Sequence, residues 1–239
     1  KDTGVRLLGE GVFNLTIMFL EMWNAFQKPD FDYEAFRPHR WHPETFKTDG
    51  YVIPYADTPL DNEELGENVY INILSQAKDY VYIATPYLLI SDEMERALCL
   101  AAKRGVDVRI LMPGIPDKPM VFYMAKSYYP PLLEAGVKIY EYTPGFVHAK
   151  QILTEDAAIV GTINMDYRSY YLHYENGIWM SGEQIQEDIR KDFCATFEES
   201  HEVSYEEWKN RPRRYKFIEP VLNLFSILLY MLDFQQFLF

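Results

Sequence analysis

Residues 146–180 read FVHAKQILTEDAAIVGTINMDYRSYYLHYENGIWM, and this stretch decides the fold. It contains three apolar runs typical of buried strands: one surrounds His148 and Lys150, one covers residues 157–160 and one covers residues 177–180. His148 and Lys150 are two positions apart, and side chains at that spacing point to the same face of a strand. The sequence therefore predicts an imidazole and an ammonium side by side on one strand of a larger sheet.

The polar residues of this stretch suit chemistry on a phosphate. An imidazole titrates near neutral pH, so His148 can attack phosphorus or transfer a proton. Lys150 can hold a phosphate oxygen as a point charge, and Asn164 and the backbone near Gly161 can donate hydrogen bonds to it. Glu175 can accept a hydrogen bond from the second ring nitrogen and fix the tautomer. Each residue alone has an ordinary explanation as a surface, solvated or turn residue, and the ordered set is what favours a site.

The spacing of these residues resembles the phospholipase D superfamily motif H-x-K-x4-D-x6-G-S/T-x-N. His148 and Lys150 match its first part, and Gly161, Thr162 and Asn164 match its last part. The resemblance implies that these residues form the phosphate site.

Two further segments extend the resemblance to bacterial cardiolipin synthases. The segment NMDYRS, residues 164–169, is followed by Glu175 at the spacing of that branch. The segment Thr-Pro-Tyr that ends at Tyr87 resembles the part that lines the phosphate site, although a packed tyrosine at a strand end explains it equally well. The resemblance covers residues 1–208 and implies the C-terminal half of such a synthase, with the second of its two H-x-K motifs.

The acidic position of the motif departs from the pattern. Counting forward from Lys150 places the acid at Glu155, with Asp156 next to it, whereas counting back from Gly161 reaches Thr154. The interval before Gly161 is one residue shorter than the motif requires. Either the turn between the two strands is shortened or a residue has been lost, and Glu155 is the candidate for the acidic role.

Composition limits the class of protein. The 239 residues carry a net charge of −13, and 48% of them are hydrophobic, which favours a large core and argues against disorder. General nucleic-acid binding usually needs a basic surface, so the charge argues against it, but an anionic lipid stays possible because local charge decides. Cys99 and Cys194 lack metal-binding spacing, and His39 and His42 lack a third ligand nearby. The sequence predicts neither a metal nor a cofactor.

Strand and helix patterns alternate along the chain with short loops. The predicted strands cover residues 51–55, 80–84, 106–112 and 137–142, and the predicted helices cover residues 11–26, 63–77, 92–104, 120–135 and 181–202. His201 is expected near the C-terminal end of the last helix. The alternation predicts an α/β fold, a layered α/β/α sandwich with a mostly central mixed sheet, and the resemblance implies phospholipase D-like topology. Catalytic side chains are expected where strands end.

Three regions differ in character. The resemblance implies that residues 1–49 are the remnant of a first phospholipase D-like half with a linker, and that residues 50–208 form the second such domain. Residues 209–239 combine a basic cluster with an apolar segment, which is typical of a helix lying in a membrane interface, and a helix docked on the core is the alternative. The chain is expected to be a fragment, inactive alone.

The resemblance implies an enzyme that joins two phosphatidylglycerols into cardiolipin and glycerol through a phosphohistidine intermediate. His148 is then the general acid and base, Lys150 and Asn164 stabilise charge on the phosphate, and Glu175 orients His148. Three further residues are expected to bind substrate: Thr162, Tyr87 and Arg168.

The expected partners follow from the same reaction. They are an anionic phospholipid such as phosphatidylglycerol, a membrane surface facing the cytosol, and either the missing N-terminal half or a second copy of the chain; nucleic acid is not expected. The alternatives are a phospholipase D-type hydrolase of phosphodiesters and an inactive half-protein that binds lipid.

Overall fold

A mixed eight-stranded sheet in the order β1-β9-β7-β6-β2-β4-β5-β10 forms the centre of the protein. The computed structural model describes residues 1–25, 32–46, 50–61 and 63–212. The strands of these ranges are β1 (Tyr51–Asp57), β2 (Tyr80–Ala84), β3 (Leu88–Leu89), β4 (Asp107–Pro113), β5 (Lys138–Tyr142), β6 (Gln151–Thr154), β7 (Ala158–Gly161), β8 (Met165–Asp166), β9 (Glu175–Ser181) and β10 (Ser200–Val203). Strands β3 and β8 pair with each other in a separate small parallel sheet.

Helices cover both faces of this sheet. They are α1 (Val12–Asn24), α2 (Leu65–Gln76), α3 (Asp92–Lys103), α4 (Pro119–Lys126), α5 (Tyr129–Ala135), α6 (Tyr167–Tyr171), α7 (Glu183–Glu198) and α8 (Tyr205–Lys209), with short 3-10 turns at Tyr33–Phe36 and Pro38–Arg40. Helices α2 to α6 contribute to the core on one face, and α7 with part of α1 contributes to the core on the other. This arrangement confirms the α/β/α sandwich.

Successive side chains of each central strand point alternately into two separate hydrophobic cores, one on each face of the sheet. In β2, Val81 and Ile83 face one core, while Tyr82 and Ala84 face the other. Successive side chains of a strand point to opposite faces, so a sheet covered on both sides needs apolar residues at every position. The continuous apolar runs that the sequence shows follow from this burial.

The ends of the helices follow local rules. Ser91 caps α3 by accepting a hydrogen bond from the Met94 amide at 3.0 Å. Gly136 follows α5 with φ of +98°, in the left-handed region that glycine enters at little cost. Pro130 and Pro131 lie in the first turn of α5, where the missing amide hydrogens cost nothing, and they separate α5 from α4.

The strand directions bring many loops to one edge of the sheet. Strands β2, β4 and β5 run parallel, and β6, β7, β9 and β1 alternate in direction beside them. The end of β2, the start of β6, the end of β7, the start of β9 and the end of β1 therefore meet at the same edge. The residues that the sequence singles out at 148–150, 161–164 and 175 all lie there.

The last predicted helix ends earlier in the structure than the sequence predicts. The sequence predicts a single helix over residues 181–202, but α7 ends at Glu198, and Ser200–Val203 forms β10 against β5. His201 therefore lies on a strand, with its Nε2 2.9 Å from a carboxylate oxygen of Glu207. The expected membrane-associating segment falls almost wholly on residues 213–239, outside the described residues. Within the described ranges, every helix is too short or too polar to cross a bilayer.

Candidate active site

The segment from Phe146 to Lys150 leads into β6, which begins at Gln151, so His148 and Lys150 lie just before the strand and not on it as the sequence predicts. Val147 and Ala149 are fully buried, so His148 and Lys150 project the other way. The N-terminal residues run beside this segment: the amide of His148 donates to the Lys1 carbonyl at 2.8 Å, and the Lys1 amino group donates to the Phe146 carbonyl at 2.6 Å. These bonds hold Asp2 beside the candidate site.

Asp2 contacts the imidazole of His148. Its Oδ2 lies 3.2 Å from Nδ1, and both side chains are more than half exposed. Burial opposes ionisation of Asp2, but hydrogen bonds from the Thr3 amide and from His148 outweigh it and lower the pKa of Asp2. An ionised carboxylate there accepts a hydrogen bond from the Nδ1–H group, which leaves Nε2 to exchange a proton with a ligand. Sequence reasoning missed Asp2, and the sequence distance of 146 residues gives no local signal for the contact.

Lys150 is almost buried. Its residue surface is 7% exposed, and Nζ donates to the His148 carbonyl. Burial lowers the pKa of Lys150 to about 8, although the carboxylates of Asp2, Glu175 and Asp166 act in the opposite direction. Asp2 acts on both His148 and Lys150, so the two side chains share one side, as the spacing predicts.

A chain of polar contacts joins Asn164 to Glu175. Asn164 Nδ2 donates to Ser169 Oγ at 2.9 Å, and that hydroxyl donates to Glu175 Oε1 at 3.2 Å. Ser169 is held in place because its amide donates to Asp166 Oδ1 at 2.8 Å, at the start of α6. The carboxamide of Asn164 is therefore oriented through two residues of the same segment, of which sequence reasoning had singled out only Glu175.

Glu175 is the first residue of β9 and is largely buried. Its side chain is 10% exposed, and His173 Nδ1 is 3.6 Å from its Oε1. Burial raises the pKa of Glu175, while hydrogen bonds from Thr162 and Ser169 and the charge of His173 act against the rise. The sequence assigned the orientation of His148 to Glu175, whereas the structure places Asp2 against that ring and Glu175 against Ser169 and His173.

Gly161 and Thr162 hold the end of β7 against β9. A Cβ on Gly161 would lie 2.3 Å from the Asn176 carbonyl oxygen, so only glycine fits this close approach. The Thr162 hydroxyl accepts from the Asn176 amide at 2.9 Å and donates to its carbonyl at 3.3 Å. Thr162 thus positions the loop before Asn164.

Tyr87 follows β2 at the same edge of the sheet. Its hydroxyl donates to Asp117 Oδ2 at 2.6 Å, and burial with this bond raises the pKa of Tyr87. The charges of Asp166 and Arg168 also reach this hydroxyl, so Tyr87 and Arg168 are neighbours, as expected for residues around one ligand. The Thr85 hydroxyl accepts from the Met165 amide at 3.2 Å and ties this side to the small sheet.

The structure does not bring Glu155 to this cluster. Glu155 lies in the turn between β6 and β7, at the opposite end of β6 from Lys150. The strand carries the chain about 13 Å from Lys150 to Thr154, at about 3.3 Å per residue, before this turn begins. Its carboxylate accepts from the Lys78 amide at 2.6 Å and from the Tyr80 amide at 3.5 Å. Thr154 and Ala157 pair across a two-residue turn, which accounts for the shortened interval.

The chain is similar in sequence to one family model and to several curated proteins. The family described as "Cardiolipin synthase, PLD-like domain" matches residues 70–196. An uncharacterised protein of Streptococcus mutans is 51% identical over 96% of this chain and 49% of its own length. A cardiolipin synthase of Halalkalibacterium halodurans is 34% identical over 96% of this chain and 45% of its own length. The chain spans about half the length of the curated relatives it matches.

Solved structures share the fold at low sequence identity. Nuc of Salmonella typhimurium, a phospholipase D family member, is 16% identical with a TM-score of 0.55, over 65% of this chain and 99% of its own. The phosphatidylserine synthase of Haemophilus influenzae is also 16% identical with a TM-score of 0.55, over 75% of this chain and 46% of its own. These likenesses establish the phospholipase D-like fold of the sheet that carries the site.

Proposed function

The chain belongs to the cardiolipin synthase family of phospholipase D-like domains, and from that premise we propose that it contributes half of the active site of a phosphatidyltransferase. The proposed reaction joins two phosphatidylglycerols into cardiolipin and releases glycerol at a membrane surface. The observation that carries the proposal is the pairing of His148 with Lys150 beside Asp2, at the sheet edge where Asn164 and Glu175 also lie.

His148 acts as the general acid and base in this proposal. A histidine of the other half attacks phosphorus, the bond from phosphorus to the glycerol oxygen breaks, and the imidazolium of His148 gives that oxygen its proton. Neutral His148 then takes the proton of the second phosphatidylglycerol's hydroxyl as its oxygen attacks phosphorus, and the bond from phosphorus to the nitrogen of the attacking histidine breaks to release that histidine. Asp2 supports both steps, since a carboxylate at Nδ1 stabilises the imidazolium and fixes the ring.

Lys150 and Asn164 hold the phosphate in this proposal. Lys150 supplies a charge from a buried position, where little water competes for it. Asn164 keeps one amide hydrogen on Ser169, so its position is fixed before the substrate arrives. Tyr87 and Arg168, whose side chains interact electrostatically, contact the rest of the headgroup in this proposal.

A chimera tests the proposal. This chain replaces the matching segment of the Halalkalibacterium halodurans cardiolipin synthase, and the lipids formed from phosphatidylglycerol vesicles are identified by mass spectrometry. We expect cardiolipin, and we expect His148→Ala to lower its rate by about 10²-fold or more, because general acid–base catalysis contributes that much. Phosphatidic acid as the main product would instead identify a hydrolase. A chimera that binds the vesicles but is equally active with and without His148 would contradict the assignment.

A further inference from the structure

An apolar groove runs beside the candidate active site, between α1 and the ends of β1 and β9. Its volume is about 620 Å³. Apolar residues from α1 and from the loop after β1 line it: Leu15, Met18, Phe19, Met22 and Leu60. The four α1 residues are spaced i, i+3, i+4 and i+7, so they form one face of the helix. Phe19 is 54% exposed and Leu60 is 68% exposed, which leaves apolar area open to a ligand.

The groove shares a wall with the candidate site. Glu175 and Asn176 line it on the side of β9, and Asp57 lines it on the side of β1. Glu175 accepts the hydrogen bond of Ser169 at 3.2 Å, and Ser169 holds Asn164. A ligand with its phosphate at Lys150 and Asn164 can therefore extend past Glu175 into the groove.

The lining selects the part of a ligand that can enter. Carboxylates of Glu21, Asp57 and Glu175 lie along the groove, so an anionic group is repelled from it. The apolar face of α1 offers dispersion contacts and removal of water to an uncharged chain instead. The volume also lies within the range of about 300–1,000 Å³ that is usual for small-molecule sites.

We infer that the groove binds one acyl chain of the phospholipid whose phosphate is held at Lys150. This inference rests on the proposed function and adds the place where the apolar part of that substrate lies. The acyl chain lies along Met18 and Met22 of α1, and the carboxylates at the shared wall keep the phosphate on the Lys150 side.

Calorimetric titration of the 239-residue chain tests this placement. The probes are dihexanoyl- and dioctanoyl-phosphatidylglycerol below their micelle concentrations, together with glycerophosphoglycerol, which has the headgroup and no acyl chain. A fully buried methylene contributes about fourfold in affinity, and one in a groove that stays partly open to water contributes about threefold. With one chain in the groove, dioctanoyl lipid is expected to bind about tenfold more tightly than dihexanoyl lipid.

Two substitutions change the groove in different ways, and a third serves as control. Met18→Trp fills it and Met22→Ser makes it polar, and both are expected to reduce the tenfold difference to less than about threefold. Leu100→Ser removes an exposed apolar side chain from α3, on the other face of the sheet, and is expected to keep the difference. Circular dichroism melts confirm that each variant is folded.

The outcomes separate this inference from the proposed function. A tenfold difference that survives in both groove variants overturns the inference, and so does a ratio near one with the headgroup still bound. A concentration-dependent dimer that Met22→Ser abolishes would place a second copy in the groove and overturn it as well. If neither the lipids nor glycerophosphoglycerol bind, the proposed function fails together with the inference.

Discussion

At the scale of single residues, the charge of Lys150 is the most adjustable feature of the site. Burial penalises the ammonium and lowers its pKa to about 8, while nearby carboxylates such as Asp2 and Glu175 favour it. The ammonium is still mostly charged at pH 7, and an arriving phosphate replaces part of the hydration that burial removed. The residue therefore gains more from an anion than an exposed lysine does.

Affinity for a phosphodiester is expected to fall about tenfold between pH 7 and pH 9. The reason is that Lys150 loses its proton in the free protein as the pH rises through about 8, and the neutral amine no longer attracts the phosphate. Lys150→Arg should remove this pH dependence, because a guanidinium stays charged throughout. Calorimetry with glycerophosphoglycerol at pH 7 and pH 9 measures the affinity. The control is Lys126→Arg, since Lys126 pairs with Glu141 instead. An unchanged slope in Lys150→Arg would contradict the assignment.

Asp57 is expected to lower the stability of the protein at neutral pH. Burial raises its pKa to about 6, although amides of Gly66 and Thr58 donate to it. The folded state thus binds the proton more tightly than the unfolded chain, so stability falls as the pH rises from about 4 to 6. The free energy of unfolding of Asp57→Asn, relative to that of the wild type, should rise by about 1–2 kcal/mol from pH 4 to pH 7.5. Urea unfolding at both values measures this, and Asp188→Asn, an exposed aspartate on α7 that contacts Gln184, should show no such gain.

At the scale of elements, the hairpin of β6 and β7 places the motif's phosphate-binding candidates and its acidic residue at opposite ends. Its open end carries Lys150 and Gly161 at the site, and its turn carries Glu155 at the start of β2. Strand periodicity made the relation of His148 to Lys150 predictable from sequence. The acidic position was not predictable in the same way, because a turn changes length at little cost and shifts the count by one residue.

Glu155→Gln is expected to reduce stability without reducing turnover per folded molecule. The ionised carboxylate accepts backbone amides at Lys78 and Tyr80, and hydrogen bonds to a charged group contribute about 1.5–3 kcal/mol. These bonds outweigh the burial that opposes ionisation and lower the pKa of Glu155, so the loss should shrink as the pH falls below about 4. Unfolding curves at pH 7 and pH 3.5, with the activity of the chimera, measure both effects. A large loss of turnover at full stability would assign Glu155 to the reaction.

The end of α7 shows another limit of the sequence pattern. Residues 181–202 have helical spacing of apolar residues to Phe197, and the polar residues that follow fit either a helix end or a short edge strand. Pairing with β5 favours the strand, because it provides hydrogen-bond partners for the backbone amide and carbonyl groups of Ser200–Val203. That pairing joins segments about 60 residues apart, and local periodicity carries no information about it.

At the scale of the whole molecule, topology assembles the site from distant segments. The predicted α/β class and the positions of the main strands followed from alternating patterns, and the sheet edge explains why residues 148–150 meet 161–164 and 175. Asp2 could not be placed in this way, since its contact with His148 depends on how the N-terminal segment lies along residues 146–148. The groove beside α1 could not be predicted either, because it depends on how α1 packs on the sheet. The spacing of apolar residues in α1 predicts only that one face is buried.

The 239-residue chain alone is expected to bind phosphatidylglycerol headgroups without converting them. The proposed reaction needs two histidines, one to attack phosphorus and one to move protons, and the described residues present His148 at the site as the second of these. His173 contacts Glu175 instead, so it is not placed to replace the attacking group. Mass spectrometry of lipids after long incubation, with light scattering for molecular mass, measures the outcome. Cardiolipin formed by a homodimer would contradict this expectation, and His148→Ala in such a dimer would then show whether two copies of one imidazole serve both roles.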